Sequence, residues 1–65
     1  GKININRASQ AELESLPGIG PVLAARIIEW RTSNGPFASV EDLEQVEGIS
    51  ASTVSDLAPY ATAGP

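Results

Sequence analysis

The 65-residue sequence contains no cysteine and no histidine. The first absence excludes a disulfide scaffold and any thiolate-bound metal, and it leaves the redox compartment undetermined. The second, added to the first, removes most zinc sites, the usual general base and the Ser/His triad. Seven serines then stand without a partner base, so no nucleophilic catalysis and no cofactor are expected. No apolar run approaches the roughly 18 residues of a membrane span, and no signal peptide is visible. The chain is expected to be soluble as given, without membrane contact of its own. Cations are scarce too: four Lys+Arg face eight Asp+Glu, for a formal charge of −4 and a pI near 4.4. That balance argues against strong affinity for a polyanion. What remains is 42% hydrophobic residues, enough for one small core and too little chain for two.

The organisation is a repeat. Shifting the sequence by thirty residues aligns Ser9 with Ser39, Leu13 with Leu43, Glu14 with Glu44, Gly18 with Gly48 and Ile19 with Ile49. Caps, apolar positions and glycines share the offset, which marks two copies of one supersecondary unit. Each copy reads as helix, tight turn, helix, and each buries the other's apolar face. The predicted fold is all-α: one domain over 1–65, with units at 9–32 and 39–60 and a connector at 33–38. A short extended arm (Ile3-Asn4-Ile5-Asn6) precedes them, and a loose tail is expected at 61–65.

Local signals place the helices. Ser9-Gln10-Ala11-Glu12 has the capping-box form, and Ser39-Val40-Glu41-Asp42 is its looser equivalent. Leu13 and Leu16 face inward in the first unit, as do Val40, Leu43 and Val46 in the second. Pro17 stops the first helix, and Pro21 opens a second that runs to about Thr32. Leu23, Ala24, Ile27, Ile28 and Trp30 form its core-facing stripe. Asn34-Gly35-Pro36 ends it, and Phe37 plugs the core where the units join. The last helix spans about Ala51 to Ala58, with Val54 and Leu57 inward.

The chemistry lies in the turns. In Leu16-Pro17-Gly18-Ile19-Gly20-Pro21, glycine permits positive φ and removes side chains that would hold a ligand off. The free amides of the helix's first turn, Val22 among them, then point outward, and the helix dipole adds partial positive charge. Such a turn cradles an anion without any basic residue. The ligand that fits best is a phosphate of a nucleic-acid backbone, whose base sequence would go unread. Ile19 anchors the turn in the core. The second turn, Glu47-Gly48-Ile49-Ser50, lacks the second glycine and adds an acid, though Ser50 can still cap the next helix.

These residues resemble the helix-hairpin-helix motif, and two copies resemble its tandem form. The match is closer still to the DNA-binding domain of the ComEA competence proteins. It rests on Ile3-Asn4-Ile5-Asn6, Ala8, the Leu13–Pro21 hairpin, Ala24, Ile27-Ile28-Glu29, Arg31, Asn34-Gly35-Pro36-Phe37 and Val40-Glu41-Asp42-Leu43. The resemblance implies a sequence-independent double-stranded DNA receptor for natural transformation. It implies a site outside the cytoplasmic membrane, in the periplasm or at the cell surface, with a tether by an N-terminal transmembrane segment absent from this chain. Other competence or surface proteins are further candidate partners. The DNA-binding residues it marks are Pro17, Gly18, Ile19, Gly20, Val22 and Arg26, and in the second hairpin Gly48, Ile49 and Ser50. It also allows a monovalent cation on the carbonyls of Leu16 and Ile19. Affinity is expected in the non-specific range, about 10⁻⁴ to 10⁻⁶ M or weaker.

Plainer readings stand beside these. Gly18 and Gly20 could serve only a tight turn between helices. Glu41, Asp42, Glu44 and Glu47 read as a solvated face rather than a metal site. Trp30 reads as core or interface rather than a base-stacking ring. Arg26 could reach a phosphate or pair with Glu29; Arg31 could bond terminal carbonyls or an acid. Val22-Leu23, where cations would help, and the −4 charge also suit a protein-interaction module that kept the fold and lost the phosphates. Some extrinsic proteins of photosynthetic membranes resemble the domain in that way.

Overall fold

Ser9 starts the first helix as its neighbours require. Its Oγ accepts the Glu12 amide at 3.2 Å while its own amide donates to Glu12 Oε1 at 2.9 Å, a complete capping box. The computed structural model describes residues 1–64. In chain order it has strand β1 (Ile3–Asn4), helix α1 (Gln10–Glu14), helix α2 (Pro21–Asn34), a 3₁₀ segment (Val40–Gln45), helix α3 (Ala51–Leu57), a 3₁₀ turn (Ala58–Tyr60) and strand β2 (Ala61–Thr62). The mainly helical fold is the one the repeat predicts. Leu13, Ile27, Leu43 and Leu57, one from each of the four longer helical elements, are fully buried together with Ile5 of the arm. Phe37 is buried at the join of the two units and stacks on half-buried Trp30, ring centroids 4.4 Å apart. Trp30 therefore belongs to the core margin, as its stripe indicates.

Two elements differ from their sequence reading. The third helix is 3₁₀ rather than α, and Ser39 makes no side-chain cap; Asp42 Oδ2 instead accepts the Ala38 amide at 3.0 Å. The apolar spacing accords with it: Val40, Leu43 and Val46 recur every three residues, the period of a 3₁₀ turn. The tail over 61–64 is not loose. Ala61 is buried, and β2 pairs in parallel with β1, Ile3 opposite Ala61 and Asn4 opposite Thr62. The arm's backbone groups need partners once Ile5 is buried, and Thr62 supplies one, its carbonyl accepting the Ile5 amide at 2.9 Å. Pro65, also assigned to the tail, lies outside the described residues.

The polar side chains at the junction hold it together. Asn6 donates from Nδ2 to the carbonyls of Phe37 (3.1 Å) and Gly64 (3.0 Å), and its Oδ1 accepts the Phe37 amide at 2.6 Å. Arg31 leaves its own helix end and donates to the carbonyls of Ile5 (2.9 Å) and Ala8 (2.7 Å). Asn6 thus ties connector and tail to the arm, and Arg31 ties the arm to α2.

The capping box carries a pH signature. The Ser9 backbone amide, then its hydroxyl, hold the Glu12 carboxyl below its ordinary value of 4.5. A group with a depressed folded pKa stabilises fully above its unfolded value and loses that contribution as pH falls through the folded one. Thermal melts of the wild type should therefore soften below about pH 4.5. Glu12→Gln, which can keep the reciprocal bond, should flatten that part of the acid limb. An unchanged limb would remove Glu12 from the account.

Candidate nucleic-acid interface

Each hairpin is a turn whose first glycine has a left-handed backbone: Gly18 at φ 79° and Gly48 at φ 95°. An L side chain there is strained, which fixes glycine at both positions. The turns close alike, the Ile19 amide donating to Leu16 O and the Ile49 amide to Val46 O, both at 3.1 Å. Ile19 and Ile49 are buried anchors, while Pro17, Gly18, Gly20, Pro21, Gly48 and Ser50 are exposed.

The two units interlock through their turns. A β-carbon on Gly18 would stand 3.2 Å from Thr53 Cγ2. One on Gly48 would stand 2.8 Å from Leu23 Cδ2 and 2.9 Å from Arg26 Nη1. Leu23 and Thr53 are themselves thirty residues apart. Each glycine therefore receives the third residue of the other unit's second helix, a reciprocal fit that orients both hairpins on one body.

The helix starts differ in what they leave open. α2 is capped by Gly20, which has no side chain to offer, and Pro21 occupies its first position. The amides of Gly18, Gly20, Val22 and Leu23 make no backbone hydrogen bond to another described residue. Ala24, the next in line, donates to Gly20 O at 2.9 Å. Val22 is 64% exposed beside this opening. At α3 the cap is Ser50, whose Oγ accepts the Thr53 amide at 3.3 Å. At the positive end of the 14-residue α2 the third helical amide, that of Leu23, thus stays unfilled, whereas its counterpart in α3 is filled by Ser50.

Arg26 is exposed, but its Nη1 donates to the Glu47 carbonyl at 3.1 Å, across the second hairpin. The Glu47 carbonyl was not among the partners anticipated for it, a phosphate or Glu29. The sequence signal was available only in part: the repeat put Arg26 and Glu47 in different units and gave no contact between them. Asn6 was read only as part of an extended arm, because one side chain serving two distant backbone strands leaves no local pattern.

Two hairpins related by a thirty-residue repeat and joined back to back define a tandem helix-hairpin-helix domain. The profile of the helix-hairpin-helix motif matches residues 1–62, and the chain belongs to that family. It is 45% identical over 47 residues to ComE operon protein 1 of Bacillus subtilis, covering 72% of this chain and 23% of that protein. The ComEA-type character read from the residues is thereby borne out. The chain is also 54% identical over 50 residues to mouse kinesin-like protein KIF22, across 77% of this chain and 8% of that one. To human endonuclease/exonuclease/phosphatase family domain-containing protein 1 the figure is 44% over 50 residues, 77% of this chain and 9% of that protein. The chain thus spans less than a tenth of these last two relatives.

Proposed function

We propose that this domain binds DNA without reading its sequence, by offering backbone amides of the first hairpin to a phosphate. The observation that carries the reading is the uncapped start of α2, where Gly20 leaves the Val22 and Leu23 amides open. Pro17, Gly18, Ile19 and Gly20 form and hold the turn; Val22 lies where the strand would pass. Gly48, Ile49 and Ser50 are the corresponding turn of the second unit. The family match and the likeness to ComE operon protein 1 support DNA binding of the competence type, with double-stranded DNA as the partner. The likeness to ComE operon protein 1 in turn supports a place for the parent protein outside the cytoplasmic membrane, with any tether beyond this chain. No helix among the described residues is long and apolar enough to cross a membrane. The domain acts as a binder, not a catalyst, in keeping with a sequence that has neither His nor Cys.

A duplex titration at low salt with amide shift mapping tests the reading. Shifts should centre on Gly18 to Leu23, with a dissociation constant of about 10⁻⁴ M and weakening as salt rises. No binding at about 1 mM would end it. Exchanging potassium for tetramethylammonium in the same titration tests the cation. Leu16 O already accepts the Ile19 amide, so the Leu16 and Ile19 carbonyls form only part of a coordination shell. They suit a monovalent ion whose remaining ligands come from water and the phosphate, and binding indifferent to the exchange would discard it.

One observation favours a second reading, a protein-interaction surface. Val22 and Tyr60 (56% exposed) are the large apolar side chains most open to solvent among the described residues. On that reading a partner protein would shift side-chain signals of Val22 and Tyr60 and leave the hairpin amides unmoved.

A further inference from the structure

We propose that Tyr60 is a second contact for the DNA strand held at the first hairpin. Its ring lies on a deoxyribose, and its hydroxyl donates to the phosphate next to the one at the amides. This rests on the reading above, in which that hairpin takes a phosphate. The repeat brings the residue to notice. A shallow cleft of about 330 Å³ runs beside the first hairpin, with Ile3, Ser15, Leu16, Pro17 and Tyr60 in its lining. Another, of about 320 Å³, runs beside the second hairpin and takes in Trp30, Gln45, Val46 and Glu47. Ser15 and Gln45, Leu16 and Val46, Pro17 and Glu47, Trp30 and Tyr60 all stand thirty residues apart. Each unit thus ends on an aromatic residue that lies beside the other unit's hairpin.

The two rings are used differently. Trp30 is half-buried and stacks on Phe37, so the core accounts for it. Tyr60 is exposed, and among the described residues it has neither a ring partner nor a hydrogen bond to its hydroxyl. An amphipathic ring left in this way suits a partner that is part apolar and part charged, as a sugar–phosphate backbone is. Position selects that occupant. Pro17, at the start of the hairpin, lines the Tyr60 cleft, and Pro21 and Val22, at its end, line another. A strand seated on the amides from Gly18 to Leu23 therefore meets Tyr60 on a continuous surface. Among the described residues no carboxylate lines the Tyr60 cleft, whereas Glu29 and Glu47 line that of Trp30. Contacts to sugar and phosphate leave the bases unread, in keeping with sequence-independent binding.

The test is a duplex titration of the wild type, Tyr60→Phe and Tyr60→Ala, with amide mapping of each. The chain has one tyrosine, so its ring signals stand alone, and in the wild type they should show nuclear Overhauser contacts to deoxyribose protons. Tyr60→Phe, which deletes one hydroxyl at an exposed site, should bind about fivefold more weakly, and Tyr60→Ala about tenfold. Neither variant changes charge, so the salt dependence should keep its wild-type slope while affinity falls. Amides 18–23 should still respond. Tyr60→Phe carries the decision should Tyr60→Ala fold poorly. Affinity within about twofold of wild type in Tyr60→Phe, with amides 18–23 responding, overturns the inference and leaves the hairpin reading intact. So does a duplex that shifts those amides and leaves the Tyr60 ring unmoved, which returns Tyr60 to the protein-partner reading. Silence at 18–23 removes both.

Discussion

Gly20→Ser should abolish most DNA binding and leave the fold at least as stable. The substitution copies the second hairpin's own solution into the first. Gly20 has φ −97°, ψ −172° and Ser50 has φ −96°, ψ 169°, so the backbone already suits a serine cap. A β-carbon at Gly20 meets nothing within 4 Å. The new hydroxyl would accept the Leu23 amide as Ser50 accepts that of Thr53, and the donor would no longer face a phosphate. Losing a hydrogen bond to a charged group costs about 1.5–3 kcal/mol, so binding should weaken by about tenfold or more. The melting temperature should hold or rise slightly, because serine caps a helix better than glycine by a few tenths of a kcal/mol. Titration and thermal melting of the same sample separate the effects. Wild-type affinity in a stably folded Gly20→Ser protein would mean that the amides are not the site.

Asn6→Ala should come close to unfolding the domain. Three hydrogen bonds leave together, and the Phe37 amide and carbonyl lose their partner beside a buried ring. At about 1 kcal/mol per bond, with a desolvation penalty for groups left unpaired, the expected loss is about 2–4 kcal/mol. A core of this size supplies only about 3–5 kcal/mol in total. Asn6→Asp keeps the acceptor for the Phe37 amide but turns a donor into a carboxylate facing two carbonyls, so it should rescue little. Denaturant melts of the three proteins decide the matter. An Asn6→Ala domain within 1 kcal/mol of wild type would show that the arm and tail are fastened chiefly by apolar contact.

These two residues mark the limits of what the sequence discloses. Gly20 was legible, since a glycine before Pro21 and an apolar stripe is a local signal with a local cause. So were Ser9 with Glu12 and the buried Ile19, set by neighbours within a few positions, and the thirty-residue echo, visible by aligning the chain with itself. Asn6 was not, because its partners lie 31 and 58 residues away and any polar side chain at the end of an arm reads alike. Arg26 and Arg31 fall in the same class: Arg26 suggested a phosphate or Glu29 and Arg31 its helix's terminal carbonyls or an acid, and nothing local pointed to the main-chain carbonyls of other segments that both reach. The 3₁₀ segment was misread for a different reason. Its three-residue spacing was visible, but it was assigned to the commoner helix.

The pairing of β1 with β2 has a mechanical consequence. Because the two strands run the same way, polypeptide preceding Ile3 and polypeptide following Thr62 depart from opposite ends of the ribbon. Tension drawn along the parent chain would load the ribbon's hydrogen bonds in shear, together, instead of peeling them one after another. Such a pull meets this seam in the orientation that yields last.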